Sequence, residues 1–338
     1  IEIAPWVEDF IARLFNIENE VQQLAAKHHE LAPLYFCKRQ FVQRKAKGKV
    51  SDTELMGIDG LALEKELAAE FGGAFSELVF ATKVTQWMES EAENETRLNK
   101  ALHYAAWALR TPAGQRHTQQ GILFKSPAKL DFQHLLSLNT DDSAGYPVHR
   151  LDHLRERNGF ALTDGGTDLM GALDEANYCI WCHEQGKDSC SKGMIQKPKA
   201  PDEVPTFKKS GSGAWLAGCP LEERMSEFHK LKTQGVAVGS LAMIALDNPM
   251  CAGTGHRICN DCMKSCIYQK QEPVDIPQAE TRTLKDVLAL PWGFEIYSLL
   301  TRWNPLNLRR PVPKPASGRK VLVVGMGPAG YTLAHHLM

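Results

Sequence analysis

The chain has 338 residues, of which 23% are charged and 43% hydrophobic, with a formal net charge of -1. That length suits two or three domains with ordinary buried cores, and the near-neutral balance gives no global pull toward nucleic acid or an anionic membrane. No run reaches the roughly 18 to 20 apolar residues of a bilayer crossing, so the chain reads as soluble and cytoplasmic. Ile1 in place of Met, and Met338 inside a helix just begun, read as the cut ends of a longer protein.

From Ala4 to about Leu31 the pattern is helical, with Pro5 in the first turn and Trp6, Phe10, Leu14, Ile17, Val21 and Leu24 three or four residues apart. Further helices are expected at 35–46, 61–71, 74–89 and 91–109. Between Arg110 and Asp168 the Pro, Gly, His and Asp content predicts loops with one or two helices. These residues, 1–165, read as a helical N-terminal domain of unknown role. Its histidines, His28, His29, His103, His117, His134, His149 and His153, lack ligand spacing and are expected to be structural or exposed.

A second region, 166–304, is dominated by cysteine. Eight of the nine cysteines fall between residues 179 and 266: Cys179, Cys182, Cys190, Cys219, Cys251, Cys259, Cys262 and Cys266. CxxC turns point two thiolates at one centre, and two sets of four match two [4Fe-4S] clusters. The expected partition is Cys179, Cys182, Cys190 and Cys266 on one cluster, with Cys219, Cys251, Cys259 and Cys262 on the other. Zinc uses the same hardware, so Cys179, Cys182, Cys259 and Cys262 form an alternative site in a zinc-stabilised interaction module. Disulfides fit poorly in a chain whose core needs no staples. Trp181, Met194 and Trp215 are expected to form an apolar shell, His183 is a weaker ligand candidate, and Cys37 reads as a core thiol. Gly193 to Ser212 suits an exposed loop.

A Pro-rich linker, 305–318, precedes residues 319–338. There Lys320 to Val324 reads as a strand leading into Gly325, Met326, Gly327, Pro328, Ala329 and Gly330, then a helix. In such a GxGxxG turn the first glycine makes the bend, the second lets amides approach a pyrophosphate and the third packs helix on strand. The reading is the first βα element of a truncated Rossmann-type dinucleotide domain, and the overall fold class is mainly α.

The order CxxC, Cys190, GlyCysProLeu, CxxCxxxC, Glu272 to Val274 and KVLVVGMGPAG resembles the region joining the iron-sulfur and flavin domains of the glutamate synthase small subunit and of dihydropyrimidine dehydrogenase. The likeness spans about residues 175–338. It implies a helical two-cluster domain holding the eight cysteines and an FAD pyrophosphate on Gly325, Gly327, Pro328, Ala329 and Gly330. It also implies an NAD(P)H domain downstream and electron flow from NAD(P)H through FAD and the clusters to an acceptor domain or subunit. Cys182 and Cys190 enclose seven residues and Cys190 and Cys219 enclose 28, more than in the family, which reads as an inserted loop. Gln278 and Glu280, near a glutamine ligand of dihydropyrimidine dehydrogenase, are expected not to bind. No catalytic acid or base is expected in this chain, only the electron-transfer part of an oxidoreductase.

Overall fold

The computed structural model describes residues 1–151, 156–198, 202, 204–256, 258–308 and 314–338. His153 and the middle of the Pro-rich linker lie outside the described residues. Helices hold about 54% of the chain, and the strands form two short antiparallel ladders. The protein is mainly α.

Helix α1 (Ala4–Phe15) stops at Asn16, whose φ of 55° is left-handed, and α2 (Glu18–Glu30) starts anew. The single apolar repeat from Trp6 to Leu24 therefore spans two helices, because Asn tolerates a left-handed turn that periodicity does not reveal. The repeat also misplaces the buried face of α1. Trp6, Phe10 and Leu14 are exposed, whereas Ala4, Val7 and Ile11 are buried. Helix α3 (Ala32–Cys37) runs directly into a nine-residue π-helix, Lys38–Ala46. Helices α4 (Gly60–Phe71) and α5 (Glu77–Glu89) are N-capped by the side chains of Asp59 and Ser76, and α6 (Glu95–Arg110) follows.

Between 111 and 168 the structure has a short helix, Pro112–His117, and an exposed hairpin of β1 (Leu138–Asp141) and β2 (Val148–Leu151). The hairpin occupies a stretch expected to be loops and helices. Helix α7 (Leu169–Tyr178) is capped by Asp168, which accepts from Gly171 N at 2.8 Å. Helices α8 (Met225–Thr233), α9 (Ala237–Asp247), α10 (Ile276–Leu288) and α11 (Gly293–Arg302) complete the main body. Two residues of ladder, Ile195–Gln196 with Thr206–Phe207, cross the exposed loop.

Burial divides this body into two cores. One lies among α3, the π-helix and α4 to α6, around Phe80, Tyr104 and Phe124, and takes Leu173 from α7. The other joins α8 to α11, Cys190, Cys251, Cys262 and Cys266 with residues of α1 and α2. The cores thus do not divide at Gly165: the first two helices pack with the cysteine region. Their attachment is close. Glu8 accepts from Val238 N at 2.6 Å and Gly239 N at 3.2 Å, supplying the cap that the first turn of α9 lacks. A Cβ on Gly239 would stand 2.7 Å from Ala4 O, so only glycine allows α1 this near.

The run Lys320 to Val324 has no ladder partner among the described residues, and Val321, Leu322 and Val324 are exposed. The expected strand is absent because a parallel strand forms only against neighbours. The helix after it, α12 (Pro328–Leu337), is present.

Candidate metal centre and glycine turn

The eight clustered cysteines occupy loops and short helices held by α7 to α11. Cys179 follows the end of α7, Cys182 opens a 3-10 turn, and Cys190 lies in the helical turn Ser189–Lys192. Cys251 and Cys262 lie in the turns Cys251–Thr254 and Asp261–Lys264. All are free thiols.

Cys179, Cys182, Cys190 and Cys266 are brought together on one cavity of about 20 Å³, also lined by Ser226, His229 and Tyr268. That is space for about one water. A metal bonded to sulfur at about 2.3 Å needs less clearance than a water in van der Waals contact. Cys219, Cys251, Cys259 and Cys262 gather instead about the buried carboxyl of Glu223: its charge bears on Cys219, Cys251 and Cys262, and the Cys259 thiol bears on Glu223. Cys259 is the exposed member of this group.

The sulfurs meet backbone donors. Trp181 N donates to Cys179 Sγ at 3.4 Å. The backbone N–H groups of Leu221 and Glu223 lie by Cys219 and those of Ile267, Tyr268 and Val274 by Cys266, where they lower the thiol pKa against burial. N–H groups aimed at sulfur favour the thiolate, the form a metal binds. Burial opposes them, pushing Cys179 and Cys251 up to about 12 and Cys190 higher, so these three thiols are neutral. Two of the four non-glycine residues with positive φ sit in these loops, Trp181 at 52° and Glu222 at 49°, strain of the kind found where a loop is shaped for a ligand. Among the described residues no group of three or more His, Cys, Asp or Glu is placed to hold a metal ion.

Of the expected apolar shell, one member lies elsewhere. Trp215 is exposed, with Lys209 Nζ 4.3 Å above its ring, and forms no shell over the thiols, because the loop carrying it turns outward. Glu280, expected to be outside the ligand set, lies buried beside Cys251 and Cys262, and burial raises its carboxyl to about 8. His183 turns its Nδ1 to Ser226 Oγ at 2.7 Å. Cys37 is fully buried in the other core. The sequence reading missed His229, wholly buried with neither ring nitrogen partnered, and Glu223, whose Oε1 is buried and unpartnered. Glu223 follows the CysPro pair by three residues, a signal shared with any loop carboxylate. His229 is one polar residue on an amphipathic helix and carries no signal.

The glycine turn keeps its bend at Gly325, where φ is 108°, and a Cβ on Gly330 would meet Gly325 O at 2.2 Å. Its helix leans on the second thiol group, for a Cβ on Gly253, two residues from Cys251, would strike Tyr331 Oη at 2.4 Å. No helix is long and apolar enough to cross a membrane among the described residues.

No family model matches the chain, and no solved structure matches it. The uncharacterized protein RP006 of Rickettsia prowazekii (strain Madrid E) is 58% identical over 89 residues, which are 26% of this chain and 13% of that protein. The chain therefore spans a small part of that relative. The uncharacterized protein RP005 of the same organism is 31% identical over 246 residues, 69% of this chain and 79% of that protein. On that identity and coverage, the chain belongs to the family of RP005.

Proposed function

We propose that the chain is the electron-transfer portion of an FAD- and NAD(P)H-dependent iron-sulfur oxidoreductase resembling the glutamate synthase small subunit. The observation that carries this reading is that Cys179, Cys182, Cys190 and Cys266 line one cavity while Cys219, Cys251, Cys259 and Cys262 lie about Glu223. Cys179, Cys182, Cys190 and Cys266 would hold one [4Fe-4S] cluster, and Cys219, Cys251, Cys259 and Cys262 the other. When bound, such clusters pass single electrons.

The chain's own residues hold the cysteine loops and bury Cys182, Cys190, Cys251, Cys262 and Cys266 away from water. Gly325, Gly327, Pro328, Ala329 and Gly330 would cradle an FAD pyrophosphate at the start of α12. Because Tyr331 rests on Gly253, that turn lies nearest the Cys251 group, which supports electron entry there. The rest of the flavin site, the nicotinamide site and the acceptor domain or subunit belong to other parts of such a protein.

Iron and acid-labile sulfide assays on anaerobically purified protein test the proposal. About eight of each per chain are expected, and Cys266→Ser should remove about half. Stoichiometric zinc with no sulfide would replace this reading with the zinc-stabilised module.

A further inference from the structure

Where the two cores meet, a cleft of about 410 Å³ opens between the π-helix, α7 and the segment 268–273. That volume lies in the range of roughly 300 to 1,000 Å³ typical of small-molecule sites. Its lining includes four cations, Lys38, Arg39, Lys47 and Lys125. Residues five apart stack in a π-helix, whose hydrogen bonds run i to i+5. Lys38 and Gln43 can thus share the cleft wall, and Lys47 follows at the helix end.

Lys38 is neutralised by Asp174, its Nζ lying 2.8 and 2.6 Å from the two carboxylate oxygens. The other three have no counter-charge among the described residues. Arg39 donates to the carbonyl of Asn177 at 2.6 Å and Lys47 to the hydroxyl of Ser126 at 3.0 Å. Lys125 forms no ion pair among the described residues. Of the remaining acids of the lining, Glu272 accepts from Ala128 N at 3.1 Å and keeps its charge, while Glu175 accepts from Asp275 N at 2.8 Å and burial raises its carboxyl to about 7, so the cations outnumber the charged acids. Tyr178 and Tyr268 stack at 4.4 Å, 3° from parallel, against the cleft.

We propose that this cleft binds a small polyanion carrying two or more phosphate or carboxylate groups, held by Arg39, Lys47 and Lys125. Tyr268 lines both this cleft and the first thiol cavity, so a bound molecule would sit one ring away from Cys179, Cys182, Cys190 and Cys266. No thiol lines the cleft, and the binding stands apart from the iron content of the protein.

Isothermal titration of the full chain with pyrophosphate and with citrate, against KCl of matched ionic strength, tests it. One equivalent of at least one anion should bind with Kd in the micromolar range. Pyrophosphate alone would mark a phosphate site, citrate alone a carboxylate site, and both a site that reads charge. Lys47→Gln with Lys125→Gln should weaken binding at least tenfold with Tm unchanged, and the double arginine replacement should retain it. Binding of neither anion above the KCl control, or equal binding by the glutamine variant, would overturn the proposal.

Discussion

Cys37 and Cys266 are both buried thiols, yet their sulfurs live in different surroundings. Around Cys37 only burial acts, raising the thiol to about 12, whereas at Cys266 the backbone N–H groups of Tyr268, Val274 and Ile267 work against burial. Cys37→Ser should therefore destabilise the fold by about 1 to 3 kcal/mol, the cost of an unpaired buried hydroxyl. Its iron content should equal the parent's, unlike that of Cys266→Ser; urea denaturation and an iron assay separate the two. At Gly239 the effect is steric: alanine would press on Ala4 O, and overpacking of this kind costs about 1 to 3 kcal/mol, again read from urea midpoints. The cysteines were legible because spacing alone marks them. Glu223, His229 and Gly239 were not, since their roles come from neighbours that are distant in sequence.

Among the elements, Glu8 ties α1 to the start of α9, and burial lifts its carboxyl to about 7 despite two backbone donors; Glu175 is lifted to the same value for the same reason. An acid whose folded pKa lies above its unfolded value of 4.5 binds more protons when folded. Its stabilising share is thus complete below about pH 4.5, falls as pH rises toward 7 and is gone above that. One such group accounts for at most about 3 kcal/mol. Thermal melts should show a higher Tm at pH 5 than at pH 7.5, and Glu8→Gln should make the slope shallower without abolishing it. An unchanged slope would show that Glu8 is solvated. The helices expected at 61–71 and 74–89 are found at 60–71 and 77–89. The π-helix was not legible, because its hydrogen-bond register leaves no mark on the apolar pattern. The stop at Asn16 and the unpaired run 320–324 depended on backbone conformation and partner strands, which composition does not encode.

For the whole molecule, the decisive feature is that the two cores cut across chain order, with α1 in the later core and α7 lending Leu173 to the earlier one and Ala172 to the later. A chain beginning at residue 31 would lose Val7, Ile11, Ile17 and Val21 from the core that buries the thiols. Without denaturant, its cysteines should react with a disulfide reagent many times faster than those of the parent. Equal rates would mean that the cysteine region folds without α1. The sequence suggested a boundary at Gly165 because composition changes there, but composition follows local chain and packing does not. The same arrangement sets a timetable during synthesis. At roughly 5 to 20 residues per second, α1 leaves the ribosome about 10 to 40 s before α9 is made. For that interval Ala4, Val7 and Ile11 have no partner, so nascent chains stalled before residue 237 should depend on chaperone cover that the finished chain does without.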